Sequence, residues 1–340
     1  MPRAKWPTIR ASTSAVSKLS SASVTQRARK FTPETWHNLR VALVFLSPWL
    51  VGMLGLWLIP TGLSLYFSFT DYTGAVWPPH WIGLDNFRAM FDGTDPDFST
   101  TLRVTAWWVF LSVPIGLAAS LGLALLLNMR VRGIAFYRTI FFLPSLVPFV
   151  GSSLLFLWLL NPQYGLVNQS LGLLHLPQLG WFTDPTWAKP GLLLQSIWAS
   201  GATIIIFLAG LQGVPEELVE AASLDGAGRI SRFWHVTLPL LTPTIFFNLI
   251  LGMINAFQFF AQAFVVSTIS SAGSGGVGGG GDVGGPAGST LFLSLHIYDQ
   301  AFQQGNVGYA SAMAWGLVVV VAAITLVVVG TSGRWVHYAS

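Results

Sequence analysis

The chain has 340 residues, 53% of them apolar and 9% charged, with a net charge of +4 and no cysteine. Soluble domains carry about 25% charged residues, so this composition excludes a soluble fold and points to an all-α integral membrane protein. The missing cysteine excludes disulfides, thiolate metal sites and a Cys nucleophile.

Residues 1–40 are rich in Ser and Thr and hold eight Lys and Arg, with no apolar signal-peptide core before Val41. They are expected to form a basic, disordered cytoplasmic tail. Six apolar segments then reach the roughly 20 residues needed to cross a bilayer, near 41–69, 102–127, 139–160, 190–212, 244–266 and 308–330. Pro48, Pro60, Pro114, Pro144 and Pro148 predict kinks in the first three.

With the N-terminus inside, fourteen of the 17 Lys and Arg fall on the cytoplasmic side and only Arg88, Arg103 and Lys189 outside. The positive-inside rule therefore places both termini in the cytoplasm, including the short C-terminal segment 333–340. The basic charge is thus a topology signal, and no nucleic-acid partner is expected.

The outer segments differ in chemistry. Residues 71–101 are acidic and aromatic, and 161–189 carry Asn168-Gln169-Ser170, a glycosylation sequon expected to be fortuitous. Between the fifth and sixth spans, ten of the 16 residues of Gly273–Gly288 are glycine, and the segment is expected to be a flexible external insertion. Its G-x-G-x-x-G match at Gly276–Gly281 follows no strand and carries no nucleotide reading.

The stretch 215–243 organises the chain. It is a polar interval between the fourth and fifth spans. Glu216, Glu217 and Glu220 lie early, Ala221 and Ala222 favour helix, and Gly226 and Gly228 break it. A short helix, a glycine turn and a second helix over Ile230–Val236 are expected, with Pro239 and Pro243 where the chain re-enters the membrane.

Glu220-Ala221-Ala222, Gly226 and Val236-Thr237-Leu238-Pro239 resemble the EAA-x3-G-x9-I-x-L-P signature of binding-protein-dependent ABC importer permeases, with Val for Ile. Trp81-Ile82-Gly83-Leu84-Asp85-Asn86-Phe87 is similar to the W-x-G-L-x-N-F element of carbohydrate-uptake permeases. Gly133–Thr139, Leu208–Gln212 and Gly308–Ala312 agree with the same family, as do Gly284-Gly285-Pro286 with Thr290. The resemblance covers about residues 41–332.

It implies a six-helix type I, maltose-permease-like fold in a prokaryotic inner membrane, acting in sugar uptake by alternating access. It also implies a second permease subunit, two ABC ATPase subunits that hold ATP and Mg, and an extracytoplasmic solute-binding protein. Glu220, Ala221, Ala222, Asp225, Gly226, Leu238 and Pro239 would couple this chain to the ATPase. No cofactor or metal is expected in the chain itself.

The residues agree with a transport role. No P-loop sequence is present and the six His are scattered without ligand spacing. The spans hold no paired carboxylates, which an ion-coupled secondary transporter would need. That rival stays open, as does an importer for glycerol phosphate or another small polar solute. A sugar path requires amides and aromatic rings facing the bundle interior. Gln195, Trp198, Ala199 and Ala202 in the fourth span, and Asn255, Gln258, Phe259 and Gln262 at i, i+3, i+4 and i+7 in the fifth, are expected to share such faces.

Overall fold

The computed structural model describes residues 33–129, 131–273 and 283–337. The basic tail before Pro33 and residues 274–282 of the glycine-rich insertion lie outside the described residues. The chain divides into two units, residues 1–60 and 61–340. In the first, α1 (Pro33–Gly52) passes into a π-helical turn at Met53–Leu58. Pro48 has no N–H for the carbonyl of Val44, and Ser47 Oγ donates to that oxygen instead, at 2.7 Å. A hydroxyl beside the proline keeps an apolar helix satisfied where no water can. Helical backbone continues through α2 (Ile59–Phe67), giving Arg40–Phe67 a length of 28 residues.

The second unit is helical among its described residues, with one isolated antiparallel bridge between Thr70 and Trp81. The chain runs through α3 (Asp85–Ala89), α4 (Phe98–Leu127), α5 (Ile134–Phe142), α6 (Phe149–Leu159) and α7 (Leu166–Leu173). It continues through α8 (Pro185–Trp198), α9 (Gly201–Gln212), α10 (Glu216–Leu224) and α11 (Arg229–Arg232). The last elements are α12 (Leu238–Phe257), α13 (Ala261–Gly273), α14 (Leu293–Tyr298) and α15 (Val307–Ser332).

Four helical stretches among the described residues are long and apolar enough to cross a bilayer: Arg40–Phe67, Phe98–Leu127, Arg229–Thr268 and Val307–Ser332. Two bent pairs raise the count to the expected six if each is one crossing. The expected third span is not a kinked rod, however. α5 with its 3-10 extension Leu143–Leu146 meets α6 at 102°. Pro144 begins the 3-10 turn, and Val147 and Pro148 are extended, so no helical register carries across. The expected fourth span is also broken, with α8 and α9 meeting at 51° across Ala199 and Ser200.

The fifth crossing departs in the opposite sense. No break separates the loop from the membrane: one helical stretch starts at Arg229 and runs on past Pro239 and Pro243. A π-helical turn, Phe233–Thr237, falls directly before Pro239, which has no N–H to close a regular turn. Thr242 Oγ1 donates to the carbonyl of Pro239 at 2.7 Å, the oxygen that Pro243 leaves open, repeating the device at Ser47 and Pro48. The interruption lies further on, at Gln258–Phe260 between α12 and α13.

Three apolar cores lie within the second unit, the smallest formed by Met90, Phe98, Leu293, Ala312 and Met313. Of the larger two, one sits towards the α10 end, where Ala124 and Leu127 of α4 pack with Ile204, Phe207, Leu208 and Leu211 of α9 and Leu241 of α12. The other lies at the far end. It joins Val104, Trp108, Val109 and Val113 of α4 to Phe156, Leu192, Phe257, Phe259, Phe292 and Leu295. Trp108, Phe259 and Phe292 form a ring cluster with centroids 4.6–5.5 Å apart, a geometry that adds to the burial term.

Candidate functional site: the loop between the fourth and fifth crossings

The α10 loop is built by local chemistry. Glu216 and Glu217 occupy the first turn of α10, where acidic side chains complement the helix dipole. The helix ends in a hydrogen-bonded Schellman turn. The N–H of Ala227 donates to the carbonyl of Ala222 at 3.0 Å, and that of Gly226 to Ser223 at 3.2 Å. Gly226 sits at φ +82°, with nothing within 4 Å of where a Cβ would be. Its requirement is therefore conformational, not steric crowding, because an L-residue in the left-handed region costs roughly 1–2 kcal/mol.

The signature residues divide between two sides of α10. Glu216, Val219 and Glu220 line a groove of about 700 Å³ together with Arg229 and Arg232, closed by Asn128 at the end of α4 and Gln212 at the end of α9. Glu220 thus borders the same groove as its own chain's arginines. On the other side Leu218, Ala221, Leu224 and Asp225 are exposed, and Ala222 is half-buried. Leu224 is 89% exposed, and Ile230 and Trp234 on the returning helix are 77% and 59% exposed. Leu224 lies outside the candidate spans, and Ile230 and Trp234 lie at the start of the Arg229–Thr268 stretch; exposed apolar side chains on a polar loop suit a contact surface. Leu238 and Pro239 are half-buried at the root of α12. Arg138 of α5 steadies the neighbouring end of α4, donating from Nε and Nη2 to the carbonyl of Leu127 at 3.3 and 3.1 Å.

The two expected polar faces do not survive folding as written. The break at Ala199–Ser200 puts Gln195 and Trp198 on α8 and Ala202 on α9, so they share no regular helical side. Gln195 is 2% exposed and donates from Nε2 to Ser152 Oγ at 3.0 Å and Ser153 Oγ at 2.8 Å, tying α8 to α6. Trp198 is exposed and packs edge-on against Phe156; Ala199 is half-buried and Ala202 exposed.

In the fifth crossing, Asn255 lies in the last turn of α12, Gln258 and Phe259 lie in the break, and Gln262 lies in the first turn of α13, so the expected i, i+3, i+4, i+7 positions do not share one continuous helix. Phe259 is turned into the far core, while Asn255 and Gln258 are exposed and Gln262 is half-buried. Hydrogen bonds and ring packing, invisible to helical periodicity, withdrew Gln195 and Phe259 from open faces.

Sequence reading also passed over several polar groups that the fold joins. Asp95 Oδ2 accepts from His296 Nε2 at 2.7 Å and from the Tyr309 hydroxyl at 2.8 Å, linking the segment after α3 to α14 and α15. Burial pushes the Asp95 carboxyl up, but the hydrogen bonds from His296 and Tyr309 outweigh it and hold it below the ordinary 3.8. Separations of 201 and 214 residues leave no local signal for this cluster. Asn86, in the W-x-G-L-x-N-F element, donates to the carbonyls of Ser68 and Thr70, while Trp81 stacks on Phe69. That element is a clasp closing the chain after α2. Asn168 uses its amide on Pro162 and Leu179 and its oxygen on Leu179 and Trp181, all within the fold, so the sequon has no free amide to modify. The described residues contain no group of three or more His, Asp or Glu placed to hold a metal.

Comparison with known proteins agrees with this geometry. The profile of the family described as binding-protein-dependent transport system inner membrane component matches residues 112–339. The chain is 42% identical over 299 residues to a probable ABC transporter permease of Bacillus subtilis, YesP, covering 87% of this chain and 91% of the relative. It is 34% identical over 277 residues to the sulfoquinovosyl glycerol transport system permease protein SmoG of Agrobacterium fabrum, covering 81% and 84%. In fold it is similar to a chain of a bacterial alginate ABC transporter solved in complex with an alginate pentasaccharide-bound periplasmic protein. The TM-score is 0.74 at 22% identity, over 92% of this chain and 100% of that one. The chain belongs to the family of inner-membrane permease components of binding-protein-dependent ABC import systems, and is a multi-pass membrane protein of that kind.

Proposed function

We propose that this permease carries a sugar or oligosaccharide inwards across a prokaryotic plasma membrane, as one of two different permease subunits forming the path. Two ABC ATPase subunits, which hold the ATP and Mg, would grip the α10 loop from the cytoplasm, and an extracytoplasmic solute-binding protein would deliver the sugar. The observation that carries the reading is the Schellman-capped knob at Glu216–Gly226, with an exposed apolar skin, in a chain of this family.

The sugar assignment is supported by what several relatives are named for. These include a diacetylchitobiose uptake permease of Streptomyces coelicolor and a lactose transport permease of Rhizobium radiobacter, each 32% identical. In the proposed cycle, closure of the ATPase pair on ATP draws the two knobs together and opens the path outwards, and hydrolysis resets it. Trp198, Asn255, Gln258 and Gln262 are the proposed sugar contacts. Asp225 and Gly226 would shape the knob, and Glu220, Ala221 and Ala222 would meet the ATPase once it is engaged.

Isolation of the chain with its solute-binding protein, followed by identification of the ligand on that protein, tests the substrate class. A phosphate ester on the binding protein would overturn the sugar reading in favour of glycerol-phosphate-like uptake. A thiol-reactive probe at Ser223→Cys, in a chain with no native cysteine, is expected to react only from the cytoplasmic side.

A further inference from the structure

α3 lies at the end of α4 remote from α10 and packs along the first turns of α15. Met90, directly after α3, joins Phe98, Leu293, Ala312 and Met313 in the smallest core, with Phe87, Tyr309 and Leu317 packed against it. A Cβ on Gly316 would lie 3.9 Å from Met90 Sδ. These contacts fix a depth. α15 ends at Ser332, shortly before Arg334, and a crossing needs about 20 residues. Counted back from Ser332, that length puts the other edge of the hydrocarbon near Met313, so Met90 reaches the level of the acyl chains. The start of α3 is held at the rim, where Asn86 donates to the carbonyls of Ser68 and Thr70, just past the first crossing. α3 therefore slants from the interface into the leaflet opposite α10.

The surface of this segment is divided to match. Leu84, Phe87 and Phe91 form one stripe, at i, i+3 and i+7, and Arg88 and Asp92 an adjacent one. Together they line a groove of about 510 Å³. Phe91 is 79% exposed, at a depth where exposure means lipid. Phe69 joins Phe87 to the exposed Trp81, on which it stacks at 5.3 Å, and tryptophan is enriched at the membrane–water boundary. Val318–Val320 of α15 are exposed as well, so the apolar surface continues into the bilayer. On the polar stripe, Arg88 Nη1 donates to Asp85 Oδ1 at 3.0 Å, and Asp92 Oδ1 accepts from the N–H of Thr94 at 2.9 Å. One cation thus stands among two carboxylates. A headgroup with a phosphate and a terminal ammonium satisfies both signs, whereas a purely anionic headgroup meets the excess of acid.

We propose that the groove along α3 binds a phospholipid of that leaflet with an ethanolamine headgroup. An acyl chain lies against Leu84, Phe87 and Phe91, the phosphate meets Arg88, and the ammonium meets Asp92. The apolar stripe of an interfacial amphipathic helix is buried in the same manner. The site is separate from the α10 loop and stands whatever solute the permease carries.

The first test uses the assembled importer in bilayers of phosphatidylethanolamine and phosphatidylglycerol, with a nitroxide at Phe91→Cys in a chain that has no native cysteine. A control nitroxide at Ala75→Cys sits on the exposed loop beside Val307. The label at position 91 is expected to collide with dissolved oxygen and to be shielded from an aqueous nickel chelate, and the control to show the reverse. Equal access of the chelate to both labels overturns the proposal. Shielding of position 91 from both reagents overturns it too, and assigns the groove to a protein partner. The second test extracts the importer from bilayers with equal amounts of the two lipids and counts retained lipid by native mass spectrometry. Phosphatidylethanolamine is expected to be retained over phosphatidylglycerol by about threefold or more, the scale of a partly exposed ion pair. The double variant Arg88→Gln, Asp92→Asn, exposed at both positions, is expected to lose that preference. Equal retention of the two lipids by the parent, or an unchanged preference in the variant, overturns the headgroup assignment.

Discussion

The loop Glu216–Thr237 and the polar faces of the fourth and fifth crossings were both singled out by side-chain pattern, yet they are held by different forces. In the loop, each feature depends on residues within one or two turns: acidic first turn, Schellman closure, wide turn before a proline. In the crossings, orientation depends on partners far away in sequence, and Gln195 answers to serines 42 and 43 residues distant. Local structure therefore keeps its register through folding, whereas a polar stripe keeps its direction only if the helix beneath it stays whole.

That contrast can be broken at several points, and the largest effect is expected in the loop. Gly226→Val should lower uptake about tenfold or more, since a β-branched residue in the left-handed region adds roughly 1–2 kcal/mol or more to the turn. Membrane insertion, followed by protease protection, should be unchanged. Full transport by this variant would remove the turn from the coupling role.

At the far end, Asp95→Ala should destabilise the purified protein by roughly 3–5 kcal/mol, because His296 and Tyr309 lose a buried charged partner. The same group gives a pH signature. The Asp95 carboxyl is lowered in the folded chain, so its contribution is present at neutral pH and fades as pH falls below the ordinary 3.8 through its folded value. Thermal unfolding of Asp95→Asn against the parent should show the difference between them shrinking in that acid window. A constant difference would assign the stability to packing alone.

The middle of the scale separates structural amides from path amides. Gln195→Leu should cost roughly 0.5–1.5 kcal/mol for the lost bonds to Ser152 and Ser153, whose hydroxyls keep the carbonyl of Phe149 as acceptor, measurable as a fall in melting temperature. Asn255→Ala and Gln258→Ala should leave stability unchanged but raise the sugar concentration for half-maximal uptake several-fold, the scale of one or two lost hydrogen bonds. If Gln195→Leu shifts selectivity and Asn255→Ala does not, the assignment of the two faces is reversed. The smallest effect is expected at Arg138→Leu, about 0.3–1 kcal/mol from the uncapped end of α4, measurable as a slight fall in melting temperature.

The sequence by itself determined the membrane class, the permease family and the position of the loop along the chain. Apolar length and a fixed-spacing motif are properties of a local stretch, and a bilayer imposes them before any helix meets another. Gly226 was likewise legible, because its requirement is its own φ. Tertiary structure alone decided that the third and fourth crossings are bent, that Gln195 and Phe259 turn inwards, and that Asp95 finds His296 and Tyr309. Each of these depends on groups brought together only by packing, where the satisfaction of buried polar atoms and the fit of side chains override helical period.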